Sequence, residues 1–136
     1  MSLRDIAHSL FAEAIAKQDP SSIVYESSKK YDAHFHDATR IFPVAVGKAS
    51  VEMMSGLLDY LNENHPSKIY KRPIVVSNPQ EMTSPHDFNH IVSSHPTPDA
   101  SSLNAARVVL DYIKQSSETD LVIFLISGGG SSLLSL

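Results

Sequence analysis

Lys48, His95 and the run Ser127-Gly128-Gly129-Gly130-Ser131 are the residues of this chain best suited to hold an anion. Consecutive glycines flanked by serines leave backbone amides uncovered by side chains, so several N–H groups can converge on one set of oxygens. Lys48 follows Gly47 at the start of a helix-period segment. The helix macrodipole opposes a cation there, so its ammonium gains more from an anionic ligand than from its own helix. His95 opens the loop His95-Pro96-Thr97-Pro98-Asp99, and each proline biases the residue before it to extended geometry. His95 can donate to a phosphate or carboxylate, or hydrogen-bond the loop itself. Asp99 is placed to cap the helix that follows. Taken singly, each feature has a plain structural alternative: a solvated lysine, a tight turn, a helix cap.

The standard motifs are absent. A Walker A loop would need glycine at Phe42 and serine or threonine at Ala49. A dinucleotide fingerprint starting at Gly128 would need glycine at Leu133, and a nucleophile elbow around Ser127 would need glycine at Leu125. His34 and His36 alternate with no cysteine or third ligand nearby, so no metal site is expected there.

Each candidate loop follows a run that reads as a strand, and the strands expected are Ile41–Val46, Ile74–Ser77, His90–Ser94 and Leu121–Ile126. The last is continuously apolar, the pattern of a strand buried on both faces of a parallel sheet. Pro43 removes a ladder donor and should sit at an edge or an irregularity. Helical spacing covers Leu3 to Ile15, then Ser50 to Asn64 and Asp99 to Gln115, while Pro20, capped by Asp19, opens a shorter helix through Lys30. Ala33 to Thr39 reads as a polar loop. The Asn78–Asp87 connection is short for a parallel crossover, which leaves the direction of the third strand open. Strands alternating with helices indicate a layered α/β domain with a mostly parallel sheet. If the strands are parallel, all three candidate loops emerge at one edge and form one pocket.

Composition narrows the class. The chain has 136 residues, a formal net charge of −4, 42% hydrophobic and 19% charged residues, and no cysteine. The acidic balance argues against a nucleic-acid partner, which requires a basic face. No apolar run approaches the ~18–20 residues of a membrane span, and a secretory signal's apolar segment is missing. The absence of thiols is compatible with the cytoplasm. The run Ser127 to Ser132 ends four residues before Leu136, so the chain is expected to be the front part of something larger. Residues facing the rest should then form an exposed apolar or glycine-rich surface, with a frayed final turn.

The ordered set Val46-Gly47-Lys48-Ala49, His95-Pro96-Thr97-Pro98-Asp99 with Ser102 and Ala105-Ala106, and Leu125 to Leu134 resembles the type II glycerate kinase family. Ser94 and Ser132 depart from the glycine and alanine common there. The resemblance implies a Rossmann-like three-layer α/β N-terminal domain, the MOFRL-associated domain, over residues 1–136 and incomplete, with the C-terminal MOFRL domain absent. It implies ATP-dependent phosphorylation of glycerate, Mg²⁺ accompanying ATP, a cytoplasmic enzyme and compatibility with a homo-oligomer. Lys48 matches the lysine regarded as catalytic. Ser127, Gly128, Gly129, Gly130 and Ser131 match the binding loop, and His95 and Asp99 match the loop facing the cleft. Hydroxypyruvate reduction with NAD(P)H, or a non-catalytic remnant, are the alternatives.

Overall fold

A computed structural model describes residues 1–79 and 84–135. Strands β1 (Ile41–Val46), β2 (Ile74–Ser77), β3 (Asn89–Val92) and β4 (Leu121–Ile126) form one sheet in the order β3-β2-β1-β4, with every neighbouring pair parallel. Alternating β1 side chains feed two cores. Phe42, Val44 and Val46 pack with Val109 and Tyr112 of α5 (Ala100–Ile113) and Leu133 of α6 (Gly130–Leu133). Ile41 and Ala45 face α4 (Ser50–Asn64), with α2 (Pro20–Ser28) and α3 (Asp32–Asp37) completing that layer. This is the expected α/β sandwich.

The third strand is parallel to the second despite the short connection. β2 and β3 have four residues each, about 13 Å at 3.3 Å per residue, so the return path is short. Pro43 lies in a central strand, not at an edge. The odd-numbered backbone groups of β1 face β2, as Gly47 N–H bonding Val76 O shows, and pairing with β2 begins only at Val44. The missing N–H of Pro43 thus falls where no ladder exists, which is the irregularity its ring requires.

Three expectations are corrected. Residues 32–37 are helical, with Phe35 buried and the Lys68 ammonium donating to the carbonyls of Phe35 and His36 at the helix end. His34 and His36 therefore lie on a helix, where a two-residue spacing separates them by about 200° at 3.6 residues per turn. β4 is an edge strand among the described residues rather than one buried on both faces, and Phe124 is 43% and Ile126 69% exposed. That exposed apolar edge was expected near the chain's end, but the final turn is packed, since Ser132 and Leu133 are buried. Leu136 lies outside the described residues. Helix α1 (Leu3–Ala16), closed at its start by a Ser2–Asp5 capping box, buries none of its residues.

Two contacts fix the frame. Gly56 of α4 lies directly under α2: an added Cβ would overlap Ser21 O and lie 2.9 Å from Ser21 Cα. Gly56→Ala should therefore destabilise by about 1–3 kcal/mol, the usual cost of overpacking, read as a lower denaturant midpoint. Arg40, just before β1, grips Asp120, just before β4, through Nη2–Oδ2 at 2.6 Å and Nε–Oδ1 at 3.1 Å. The Asp120 side chain is fully buried. The Arg40 guanidinium, with Ser117 adding further hydrogen bonds, holds its carboxyl well below the usual carboxylate range. A depressed folded-state pKa gives stability that is complete above about pH 4 and lost as pH falls toward the folded value. Asp120→Asn should melt earlier than the parent at pH 7, with the gap shrinking below about pH 4. Equal gaps at pH 7 and pH 2 would refute that linkage.

Candidate functional site

From β1 the chain runs to β2 and β3 on one side, then returns to place β4 on the other side of β1. The strand order reverses between β1 and β4, and ligands in open α/β sheets bind beyond the carboxyl ends at such a switch point. The loops carrying Lys48 and Gly128 leave β1 and β4 there, and the His95 loop leaves β3 at the same edge.

Backbone bonds stitch the first two loops together. Ser127 N–H donates to Val46 O at 2.9 Å, and Lys48 N–H donates to Gly128 O at 2.9 Å. Ala49 N–H donates to Ser127 Oγ at 3.0 Å. Gly47 makes this approach feasible: its φ is +122°, and a Cβ there would overlap Ser127 Oγ and sit 2.7 Å from Ser127 O. The amides of Lys48, Ala49 and Ser50 are thus all engaged, the last with Gly47 O at 3.2 Å. What the β1–α4 turn offers outward is the Lys48 side chain, which is exposed and forms no ion pair among the described residues. Ser127 faces inward as a brace.

The glycine loop has the opposite character. Gly130 N–H bonds Ser127 O at 3.4 Å, and Ser132 N–H bonds Gly129 O at 3.3 Å. The N–H groups of Gly128, Gly129 and Ser131 donate to no acceptor among the described residues. Adjacent uncommitted amides, as at Gly128 and Gly129, are the kind of donors that can line an anion-binding concavity. Gly129, with φ +86°, is where the three loops meet. A Cβ on it would lie 2.7 Å from His95 Cδ2, 2.9 Å from His95 Nε2 and 3.7 Å from Lys48 Cγ. Lys48, His95 and the loop from Ser127 to Ser131 are therefore brought together.

Asp99 plays a different part. Its carboxylate accepts from Ser101 N–H at 2.7 Å and from Ser101 Oγ at 2.5 Å, capping α5. Those Ser101 bonds, side chain first, hold its pKa below the ordinary value. The described residues contain no group of three or more His, Asp or Glu able to hold a metal ion. A groove of about 390 Å³ between α2, α3 and β4 lies on another part of the molecule and is mainly apolar, lined by Val24, Phe35, Leu121 and Ile123 among others. Sequence reasoning overlooked Gly47 and Ser127 as paired supports, and the Asp99-x-x-Ser102 spacing of a capping box. The glycine between strand end and helix was the available signal for Gly47.

The model of a domain of unknown function, DUF4147, matches residues 6–136. The D-glycerate 2-kinase of Thermotoga maritima is 33% identical over 135 residues, covering 99% of this chain and 30% of that protein. The glycerate 2-kinase of Pyrococcus horikoshii is 30% identical over 143 residues, covering 100% of this chain and 31% of that protein. A crystal structure of glycerate kinase from T. maritima superposes with a TM-score of 0.76 at 32% identity, over 97% of this chain and 30% of that one. Other relatives carry the name putative hydroxypyruvate reductase. The chain spans about 30% of the length of the curated relatives it matches first.

Proposed function

The chain belongs to the DUF4147 family, and from that premise we propose that it forms one wall of an active site transferring a phosphoryl group from ATP to glycerate. The observation that carries this reading is the meeting of Lys48, His95 and three uncommitted amides at Gly129. Phosphoryl transfer asks mainly for positioning and for stabilisation of charge on phosphate oxygens. The amides of Gly128, Gly129 and Ser131 are backbone donors without an acceptor among the described residues, so they are available where charge develops on phosphate oxygens. Lys48 supplies a mobile cation for a phosphate or for the glycerate carboxylate, and His95 a donor at the same point. A glycerate hydroxyl oxygen bonds to the terminal phosphorus, the bond to the ADP oxygen breaks, and the hydroxyl proton passes to solvent water. A reaction that draws on ATP supports a cytoplasmic location in this reading.

ATP fits these donors. A Mg²⁺ seat does not form from the described residues, because the Asp99 carboxylate is taken by Ser101 and no carboxylate cluster accompanies it. No step is assigned to the metal. Hydride transfer fits less well. A dinucleotide needs free amides in the first strand-to-helix turn, and here that turn gives its amides to Ser127, Gly128 and Gly47.

Catalysis in a cleft needs groups from both walls on one transition state. The chain alone should therefore release no measurable ADP in response to glycerate. A fusion of this chain with the part of the T. maritima relative that its match leaves uncovered should do so. Rapid turnover by the 136-residue chain would remove the half-site reading, and NADH oxidation with hydroxypyruvate by the fusion would replace the kinase with a reductase.

A further inference from the structure

Helix α6 has four residues, too few to sustain itself by its own hydrogen bonds. It forms the far arm of the glycine loop, so something else must hold it. Two of its carbonyls are taken by hydroxyls from the other side of the site. Ser102 Oγ donates to Ser132 O at 2.8 Å, and Ser93 Oγ donates to Leu133 O at 2.8 Å. Ser102 is completely buried, and Ser93 nearly so. The same Ser102 oxygen accepts Asp99 N–H at 3.2 Å, closing the capping box of α5. Ser94 Oγ lies 3.1 Å from it and bonds Thr97 O at 2.8 Å, inside the loop that carries His95.

One buried oxygen thus joins the start of α5, the His95 loop and the glycine loop. A buried hydroxyl is unfavourable unless it is bonded, and a site needing only volume would be served by alanine. We propose that Ser102 is the positioning residue that holds the glycine loop in place against His95. Its relevance to catalysis rests on the reading that this loop takes phosphate oxygens. Removing the hydroxyl leaves Ser132 O unpaired in the interior, takes the acceptor from Asp99 N–H and releases α6 while the sheet and α4 stay as they are.

The test is amide hydrogen exchange and ATP titration by ¹H–¹⁵N spectra on the whole chain, with Ser102→Ala and Ser102→Thr. Ser102→Ala should speed exchange of the Ser132 and Leu134 amides by about tenfold or more, the size expected for losing a buried hydrogen bond. Val46 and Leu57 should keep their protection, and Ser102→Thr, which retains the hydroxyl, should exchange as the parent does. ATP should shift Gly128, Gly129 and Ser131 in the parent more than in Ser102→Ala. Unchanged exchange at Ser132 and Leu134, or an equal rise across β1 and α4, would overturn the proposal. If Ser102→Ala does not fold, Ser102→Thr decides: parental exchange supports the hydroxyl's role, and faster exchange at Ser132 and Leu134 refutes it. A parent chain whose loop amides ignore ATP would defeat the phosphate reading alone, because the exchange result is obtained without nucleotide.

Discussion

Lys48→Ala, introduced into the fusion that carries both walls, should lower glycerate-dependent ADP release by about 10²–10³-fold, by comparison with removing one oxyanion donor. The side chain is exposed and makes no ion pair among the described residues. Its structural contribution is the backbone N–H bonded to Gly128 O, which alanine keeps. Stability should therefore stay within about 0.5 kcal/mol of the parent. The pairing of intact stability with lost turnover separates a chemical role from a structural one. A fall in kcat and kcat/KM together would place the ammonium on the transition state, whereas a rise in KM alone would mean uniform binding of the ground state. Lys48→Arg should recover little, because a planar fork does not replace a compact ammonium at a fixed point. Full turnover in Lys48→Ala would take the lysine out of the mechanism.

Gly47→Ala should be the most damaging small substitution at the site. Its φ of +122° is one that L side chains rarely adopt, and the new methyl would meet Ser127 Oγ and the Ser127 carbonyl, which is backbone and cannot swing away. The conformational penalty of about 1–2 kcal/mol adds to an overpacking cost of about 1–3 kcal/mol. A loss of about 3 kcal/mol would lower Tm by on the order of 10 °C in a domain of this size. Turnover should fall as well, since parting the loops breaks the Lys48–Gly128 and Ala49–Ser127 bonds that aim the lysine. Gly128→Ala is the matched control: its Cβ would meet nothing within 4 Å, so its Tm should stay near the parent's. If Gly47→Ala melts no earlier than Gly128→Ala, close approach of the two loops is not what this glycine is for.

Much of this architecture is legible from local chemistry. The apolar spacing of Val51, Met54, Leu57, Leu58 and Leu61 marks α4, and all five are buried. Asp19 before Pro20 marks the start of α2, and Asp19 does cap it through Ser22 N–H. Residues 32–37 were missed because Asp32, His34, His36 and Asp37 surround a single buried Phe35. A helix so short and polar has no periodic signature, and its stability comes from Lys68 and the core beneath it.

The candidate site divides in the same way. The sequence by itself determined the residue types that can meet an anion and the strands that deliver them, while their common edge waited on the direction of β3, which the structure shows to be parallel. The first two properties depend on periodicity and turn chemistry within a few residues. Tertiary structure alone decided that β1 and β4 are neighbours and that Ser127 turns inward to brace Ala49. It also decided that Gly128, Gly129 and Ser131, rather than the three glycines, carry the uncommitted amides. Each backbone group bonds the nearest well-aligned partner, and in a parallel sheet that partner comes from a distant part of the chain, so its identity has no local signature.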